Sequence, residues 1–212
     1  MLEQKLVVGR YIDLPFGSWL TLGPDVHGFR RASPDIRHIN ESTSMSFLGP
    51  RKSDTGVGQV GKARRNFIWL PYLAGCVSEV SVAGTDVLTG PMSGCWLTIA
   101  NNRAYHVGTH DTDAQKTQRA KGAWNGFAAG LPAGSATGFK PSDYWSQNIP
   151  VATGNDSGLA IFGLITFSGE FYSIVAWLQR EKIKKPGDSD TLYRIAHVRL
   201  EQNTLPQNGQ VP

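Results

Sequence analysis

The sequence LAIFGLITFSGEFYSIVAWLQ, residues 159–179, carries the strongest structural signal in this 212-residue chain. Its two arms, Leu159–Phe167 and Phe171–Gln179, are rich in the β-branched and aromatic residues that strands favour. The three residues between them, Ser-Gly-Glu, have the length and composition of a connection between hairpin strands. The segment therefore predicts a central and well-buried β-hairpin.

Neighbouring segments extend this hairpin into a sheet-rich domain. Thr191–Glu201 alternates between apolar and polar residues and predicts a last strand. Earlier in the chain, Ser78–Val82 alternates in the same way. Trp96–Ala100 and Ala104–Val107 flank the polar pair Asn101–Asn102, so they predict a second hairpin.

One segment, Ala114–Leu131, has a helical pattern. Asp111 and Asp113 precede it and are suited to cap its start, whereas Gly130 and Pro132 would end it. We therefore predict a helix over this segment.

The other segments carry weaker signals. Phe67–Leu73 is aromatic and aliphatic, and its internal proline predicts an edge strand or a strand end. Residues 23–65 are poor in aliphatic residues, which indicates a long loop region with at most brief strands. Residues 132–158 form another Gly/Ser/Pro-rich stretch, and residues 202–212 are expected to fray as a flexible tail. Together the segments predict a single α+β domain over residues 1–212, a β-rich sandwich-like fold with one or two flanking helices.

The composition excludes several classes of protein. A formal net charge of +4 and a pI near 9.1 favour an acidic partner surface but fall short of a nucleic-acid-binding signature. No apolar run approaches the roughly 18 residues that suggest a membrane span. The two cysteines are too few for a disulfide framework, so we expect a fold that tolerates a reducing compartment.

The most informative segment for chemistry is TGPMSGCWLTIANNRAYHVGTHD, residues 89–111. Cys95 follows Ser93 and Gly94 at the start of an apolar strand. A glycine there allows a sharp turn, which presents the backbone N–H groups near Gly94 and Cys95 to an oxyanion. His106 lies eleven residues later on the predicted partner strand. If the turn is centred near Asn101 and Asn102, Cys95 and His106 lie near each other across the pair. An imidazole beside a thiol favours the thiolate and can pass a proton to a leaving amine.

A purely structural interpretation of these residues also stays open. Cys95 would then be a small buried apolar residue, because free cysteine is among the most buried residue types. His106 would be a hydrogen-bonded strand residue. Cys76, in Ala-Gly-Cys, has no histidine at hairpin distance and is predicted to be a core thiol.

The motif Met92-Ser93-Gly94-Cys95, with His106 downstream, resembles the active-site region of a family of glutamine deamidase toxins. This family includes the Burkholderia lethal factor and, more distantly, the catalytic domain of cytotoxic necrotizing factor. Those toxins carry Leu-Ser-Gly-Cys followed by a histidine at a similar separation. The lethal factor also has an aromatic Trp-Leu-Pro strand upstream, here Trp69–Pro71, and a threonine six residues before its cysteine, here Thr89.

The resemblance implies an activity and a role for each residue. It implies Cys95 as the nucleophile, His106 as the acid/base, and Thr89 as the source of a hydroxyl or carbonyl oxygen that orients the imidazole. The main chain at Ser93 and Gly94 would hold the oxyanion. The implied reaction is deamidation of a reactive glutamine in a target protein through a thioester, with no cofactor. A transglutaminase or a cysteine peptidase with the same pair, and a non-catalytic protein-binding module, stay open as alternatives.

Two departures from the toxin pattern are visible. Met92 replaces the leucine of the motif, a substitution that packed cores tolerate. The Cys–His separation is one residue shorter than in the lethal factor, which leaves the hairpin turn undecided.

The resemblance also implies a location, the bacterial cytoplasm before export. The first residues of the chain lack the long apolar run and the cleavage site of a secretory signal peptide. We therefore expect any secretion, or translocation into a host cell, to use another route.

Two other groups of residues have competing interpretations. His106, His110, Asp111 and Asp113 carry metal-binding side chains, but a zinc site requires three or four ligands on a rigid frame, and we expect no metal here. Five basic residues form a cluster around a Gly-rich loop: Arg51, Lys52, Lys62, Arg64 and Arg65. We expect a solvated surface there, with docking of an acidic target protein as the functional alternative. Nucleic acid fits less well, because no aromatic residue is interleaved among these charges.

Overall fold

The computed structural model describes residues 3, 6–9, 11–14, 29–31, 45–48, 63–65, 67–82, 84–152, 156–179 and 191–212. Within these residues the chain forms thirteen strands in two sheets, together with two helices. The strands are β1 Tyr11–Leu14, β2 Phe29–Arg31, β3 Met45–Leu48, β4 Ala63–Arg65, β5 Ile68–Trp69, β6 Val77–Ser81, β7 Val87–Thr89, β8 Trp96–Ala100, β9 Arg103–Val107, β10 Thr137–Phe139, β11 Asp156–Ile165, β12 Phe171–Gln179 and β13 Thr191–Glu201. The helices are α1 Ala114–Ala128 and α2 Ser142–Trp145. In the described residues, neither helix is long and apolar enough to cross a membrane. The prediction of a β-rich α+β fold is confirmed.

The predicted hairpin lies at the centre of the larger sheet, whose strand order is β4-β3-β1-β13-β12-β11-β7-β5. β11 pairs with β12 in antiparallel register, from Leu159 opposite Trp177 to Ile165 opposite Phe171. The predicted last strand, Thr191–Glu201, pairs with the other edge of β12. Both arms of the hairpin are therefore enclosed by neighbouring strands, as their apolar composition predicts.

The smaller sheet has the order β10-β8-β9-β6-β2, and the second predicted hairpin, β8 and β9, lies within it. Asn101 and Asn102 form its turn with φ angles of 49° and 57°. Positive φ at both positions defines the type I′ turn, which asparagine tolerates and which matches the twist of hairpin strands. This turn sets a register in which Leu97 lies opposite His106.

The inner faces of the two sheets pack against each other. Nine buried residues from both sheets fill the space between them: Ile68, Leu70, Val80, Val87, Leu97, Ala104, Phe139, Ile165 and Phe171. Burying apolar surface of this kind stabilises a fold by about 25 cal/mol per Å². The sandwich-like packing positions the strand ends that carry the candidate site.

Helix α1 covers the outer face of the smaller sheet. The ring centroid of its buried Trp124 lies 5.0 Å from that of Tyr105 on β9. Asp113 caps the start of the helix, as predicted, by accepting a hydrogen bond from the Lys116 N–H at 3.0 Å. The helix ends at Ala128, three residues earlier than predicted.

Residues 202–212 do not fray as we expected. The indole N–H of Trp124 donates to the carbonyl oxygen of Gly209 at 2.9 Å. The Asn125 side chain bonds both the N–H and the carbonyl oxygen of Val211, at 2.8 and 2.9 Å. Leu205 and Val211 are buried against α1 and the outer face of the smaller sheet. The prediction was wrong because the groups that hold the tail lie about eighty-five residues earlier in the chain, where no local pattern reveals them.

Two other segments differ from expectation in how much regular structure they contain. Residues 132–158 contain β10, which pairs with β8, and the short helix α2, whose Trp145 indole donates to Ser173 Oγ at 3.0 Å. The segment 67–73 yields only the two-residue β5, at the edge of the larger sheet where its proline predicts it.

A substitution of Gly108, the residue directly after β9, can test the packing at this end of the strand. A Cβ there would lie 2.2 Å from the carbonyl oxygen of Leu73 and 3.0 Å from that of Cys76. We expect Gly108→Ala to lower the free energy of unfolding by about 3 kcal/mol or more, since overpacking costs about 1–3 kcal/mol even where side chains can shift. Urea unfolding measures the change.

Gly122→Ala is the matched control for this variant. Nothing lies within 4 Å of a Cβ at Gly122, which is exposed on α1. The control should raise the free energy of unfolding by about 0.5–1 kcal/mol through helix propensity. A Gly108→Ala protein as stable as the wild type would contradict the close approach of the 73–76 loop.

Candidate active site

Two of the predicted site residues meet between the sheets. Thr89 ends β7 in the larger sheet, opposite Gly163, and His106 lies on β9 in the smaller sheet, opposite Leu97. Thr89 Oγ1 lies 2.7 Å from Nδ1 of His106, and both residues are fully buried. A Cβ at Gly163 would lie 2.7 Å from the Leu97 side chain, so this glycine lets the sheets approach closely here. The hydroxyl contact expected of Thr89 is therefore present.

Burial determines the protonation of His106. It lowers the pKa of His106 from 6.5 to about 3, so the imidazole is neutral near pH 7. Its Nε2 atom is buried and has no hydrogen-bond partner among the described residues. When Nδ1 carries the proton and donates it to Thr89, Nε2 has a free lone pair and can act as a base.

Cys95 lies on the same face of the sheet as His106 without bonding to it. Cys95 precedes β8 by one residue, and side-chain alternation places it on the face of Leu97, the cross-strand partner of His106. Cys95 and His106 are thus diagonal neighbours. Cys95 is 1% exposed and packs with Met92 and Trp145. The register places the predicted pair on one face of the sheet, and the thiol is buried.

Thr109 is a site residue that no sequence pattern indicated. Its N–H donates to Cys95 Sγ at 3.4 Å, and its Oγ1 lies 3.4 Å from the same sulfur. The register that pairs Trp96 with Val107 continues to Cys95 and Gly108, so the chain after Gly108 passes beside the thiol. This register could have indicated that Thr109 lies beside the thiol, but it can be drawn only when the position of the turn is known.

Tyr72 lies on another side of the site. Its hydroxyl donates to the carbonyl oxygen of Thr109 at 2.7 Å, and its ring centroid lies 5.4 Å from that of His106. Burial, and then the nearby Cys95 and Asp111, raises the pKa of Tyr72, so this hydroxyl keeps its proton. Tyr72 is half-buried and packs against the cluster of buried residues that contains Cys95.

The chain bends at Ser93 and Gly94, as expected of the Ser-Gly-Cys segment. The φ angle of Gly94 is not positive, and a Cβ there would make an ordinary 3.5 Å contact with Thr109 Oγ1. Neither the Gly94 nor the Cys95 N–H has an acceptor among the described residues. Ser93 is exposed and Gly94 is half-buried, so this segment leads from the solvent to the buried thiol.

The residues considered for a metal do not converge. The His110 N–H donates to Thr117 Oγ1 at 2.8 Å, and Asp113 caps α1. Within the described ranges, no group of three or more His, Cys, Asp or Glu side chains could hold a metal ion. Cys76 is buried, as predicted for a core thiol, and the Arg119 guanidinium donates to its sulfur at 3.7 Å.

Most of the basic cluster lies outside the described residues. Arg51, Lys52 and Lys62 lie outside the described residues, and only the backbone of Arg64 and Arg65 is described, within β4. Docking of an acidic target through this cluster stays a prediction.

No family model matches the chain, and no curated protein is significantly similar to it. The resemblance to glutamine deamidase toxins therefore stays a prediction. The geometry of Thr89, Cys95, His106 and Thr109 is the basis for a functional proposal.

The depressed pKa of His106 makes folding depend on pH in a defined direction. The unfolded chain binds a proton to this imidazole as the pH falls below 6.5, whereas the folded chain does not until about pH 3. The stability associated with the neutral imidazole is therefore fully present above pH 6.5 and is lost as the pH falls toward 3. At pH 5 we expect a loss of about 2 kcal/mol relative to pH 7.5.

Urea unfolding of the wild type and His106→Asn at several pH values measures this loss. The variant should lack this part of the pH dependence, although it still carries every other titrating group. His197→Gln, which replaces an exposed histidine, is the matched control and should follow the wild type. Identical pH profiles for the wild type and His106→Asn would show that His106 is not buried in its neutral form.

Proposed function

We propose that this chain is a toxin-like protein-glutamine deamidase that uses Cys95 as nucleophile and His106 as acid/base. One observation carries the proposal: the imidazole of His106 is fully buried on the sheet face that also carries Cys95, and its Nε2 has no hydrogen-bond partner among the described residues. A buried polar atom without a partner costs about 1–3 kcal/mol. In a histidine with only a structural role, nothing would offset this cost. A histidine that acts as a base, in contrast, requires a lone pair that can accept a proton. Thr89 supports the same role by occupying Nδ1.

The first half of the proposed reaction forms a thioester. The Cys95 Sγ–H proton passes to Nε2 of His106, and the sulfur attacks the carboxamide carbon of a glutamine side chain. The N–H groups of Gly94 and Cys95, which have no acceptor among the described residues, donate hydrogen bonds to the resulting oxyanion. The imidazolium then protonates the amide nitrogen, the C–N bond breaks, and ammonia leaves.

The second half hydrolyses the thioester. His106 takes a proton from a water molecule as its oxygen attacks the acyl carbon, and the C–S bond then breaks. The imidazolium returns the proton to the Cys95 sulfur, and the target protein is released with glutamate in place of glutamine. The proposal requires no cofactor. The expected partner is a protein with an accessible glutamine, and the formal charge of +4 favours one with an acidic surface.

A second candidate function, a non-catalytic protein-binding module, is favoured by the burial of Cys95. Its exposed fraction is 1%, against 8% for Cys76. Buried structural cysteines are chemically inert. In a deamidase the groups around the sulfur, such as Tyr72, must move to admit a glutamine, whereas in a binding module they stay closed.

Cys95→Ser is expected to fold like the wild type and to lose activity. Exchanging sulfur for oxygen changes the volume little but removes the nucleophile, which costs on the order of 10⁴-fold or more in turnover. The measurement is ammonia release from a panel of cell proteins, with peptide mass spectrometry to locate glutamines converted to glutamate.

Cys76→Ser is the matched control, because it replaces the other buried thiol of the chain. It should release ammonia at the wild-type rate. Equal turnover in the wild type and Cys95→Ser would refute the nucleophile assignment. Amine adducts on glutamine would identify a transglutaminase, peptide cleavage would identify a cysteine peptidase, and no product from the wild type would favour the binding module.

Thr89→Val is expected to lower turnover by about 10- to 100-fold, the size typical of losing a group that orients an imidazole. The substitution keeps the volume nearly constant but removes the partner of His106 Nδ1. Thr98→Val is the matched control, since Thr98 is also fully buried but its hydroxyl has no hydrogen-bond partner in the described part of the chain. Thr98→Val should leave turnover unchanged, and Thr89→Ser should keep most of it. Wild-type turnover in Thr89→Val would mean that the hydroxyl does not orient the ring.

A further inference from the structure

Two hydrogen-bonding groups of one residue converge on the Cys95 sulfur. The main-chain N–H of Thr109 donates to Sγ at 3.4 Å, and Thr109 Oγ1 lies at the same distance from it. Among the described residues no other group is hydrogen-bonded to this sulfur. Within the described residues, the groups in place to stabilise a Cys95 thiolate by direct hydrogen bonding therefore belong to Thr109.

His106 does not hydrogen-bond to the Cys95 sulfur in the resting fold. Burial keeps its imidazole neutral, Nδ1 is bound to Thr89, and Nε2 has no partner among the described groups. Reactive cysteines have their thiolates stabilised by a nearby positive charge or by donors directed at the sulfur. A neutral imidazole does not supply the charge before the proton is transferred, so donors at the sulfur contribute to stabilising the thiolate independently of His106.

The position of Thr109 is held from two directions. The Gly108 N–H donates to the carbonyl oxygen of Cys76 at 2.9 Å, and the Gly75 N–H donates to the carbonyl oxygen of Gly108 at 3.1 Å. On the other side, the Tyr72 hydroxyl donates to the carbonyl oxygen of Thr109 at 2.7 Å. These bonds hold the main chain that directs the Thr109 N–H and hydroxyl at the sulfur.

We propose that Thr109 is a further catalytic residue, whose hydroxyl and main-chain N–H stabilise the thiolate of Cys95. In the resting thiol, the S–H group can donate to Thr109 Oγ1. When the S–H bond breaks, its electron pair stays on sulfur and the proton passes to Nε2 of His106. The Thr109 hydroxyl then rotates and donates to the sulfur. The inference rests on the proposed function only in taking Cys95 as the nucleophile.

The test is the pH dependence of Cys95 alkylation by iodoacetamide in the full chain, followed by peptide mass spectrometry. No glutamine substrate is needed. The thiolate is the reacting species, so the midpoint of the rate–pH curve reports its stability, whereas the plateau at high pH reports access to the buried sulfur. Thr109→Val should move the midpoint upward by about one pH unit, as expected for losing one hydrogen bond to a charged group. Thr109→Ser should restore it.

Two comparisons separate Thr109 from its surroundings. The other titratable groups that face the sulfur from neighbouring elements are His106 on β9 and Tyr72 after β5, with Asp111 acting on Tyr72. The shift caused by Thr109→Val should therefore persist in a Tyr72→Phe background. Thr112→Val, which changes an exposed threonine of the same loop, is the matched control and should leave the midpoint in place.

Each outcome has a distinct meaning. An unchanged midpoint in Thr109→Val, or an equal shift in Thr109→Ser, would overturn the role of Thr109 and leave the nucleophile assignment intact. A Cys95 that stays unreactive at every pH would overturn both. A shifted midpoint in a protein that releases no ammonia would support Thr109 and contradict the deamidase. If Thr109→Val does not fold, Thr109→Ala removes the same hydroxyl without replacing it by a methyl group.

Discussion

The hydrogen bond between Thr89 and His106 joins the two sheets, and the site depends on it. A buried bond of this kind contributes about 1 kcal/mol, but losing one partner leaves the other unsatisfied and costs about 1–3 kcal/mol. The bond exists because the sheets approach closely where Gly163 meets Leu97. It holds the imidazole by Nδ1, while Nε2, on the face of Cys95, has no partner in the described part of the chain. The packing of the sheets and the orientation of the imidazole are thus one constraint.

The burial that keeps the imidazole of His106 neutral also keeps the thiol of Cys95 away from solvent. Thr89 and His106 are fully buried and Cys95 is 1% exposed. Strands paired on both edges are the most stable parts of a fold, whereas loops open at a lower free-energy cost. Next to the Cys95 thiol, two loops carry Ser93, which is exposed, and Tyr72, which is half-buried. The proposed deamidation therefore requires displacement of loop residues, while the bond between the sheets can stay closed.

Sequence patterns predicted the frame of the site better than the groups that complete it. Alternation and turn residues predicted both hairpins, and the observed turn at Asn101 and Asn102 then sets the register that places Cys95 and His106 on one face. The position of Thr89 came from a spacing in the resembling toxins and not from any local pattern. Thr109 and Tyr72 went unpredicted because they act from loops that cross strand ends. No periodicity encodes where the hydroxyl of a loop residue will lie, and the ordered tail was missed for the same reason.

The eleven-residue separation of Cys95 and His106 has a geometric meaning in this hairpin. Asn101 and Asn102 both have positive φ, so the strands are joined by a two-residue turn and Leu97 pairs with His106. Cys95 lies two residues before Leu97 and therefore faces the same side as the imidazole. One extra residue with the same turn would rotate the histidine to the face that α1 covers, because side chains alternate along a strand. A longer separation achieves the same pairing only with a different turn or a bulge. The eleven-residue separation is thus one that keeps Cys95 and His106 on the same face when the turn has two residues.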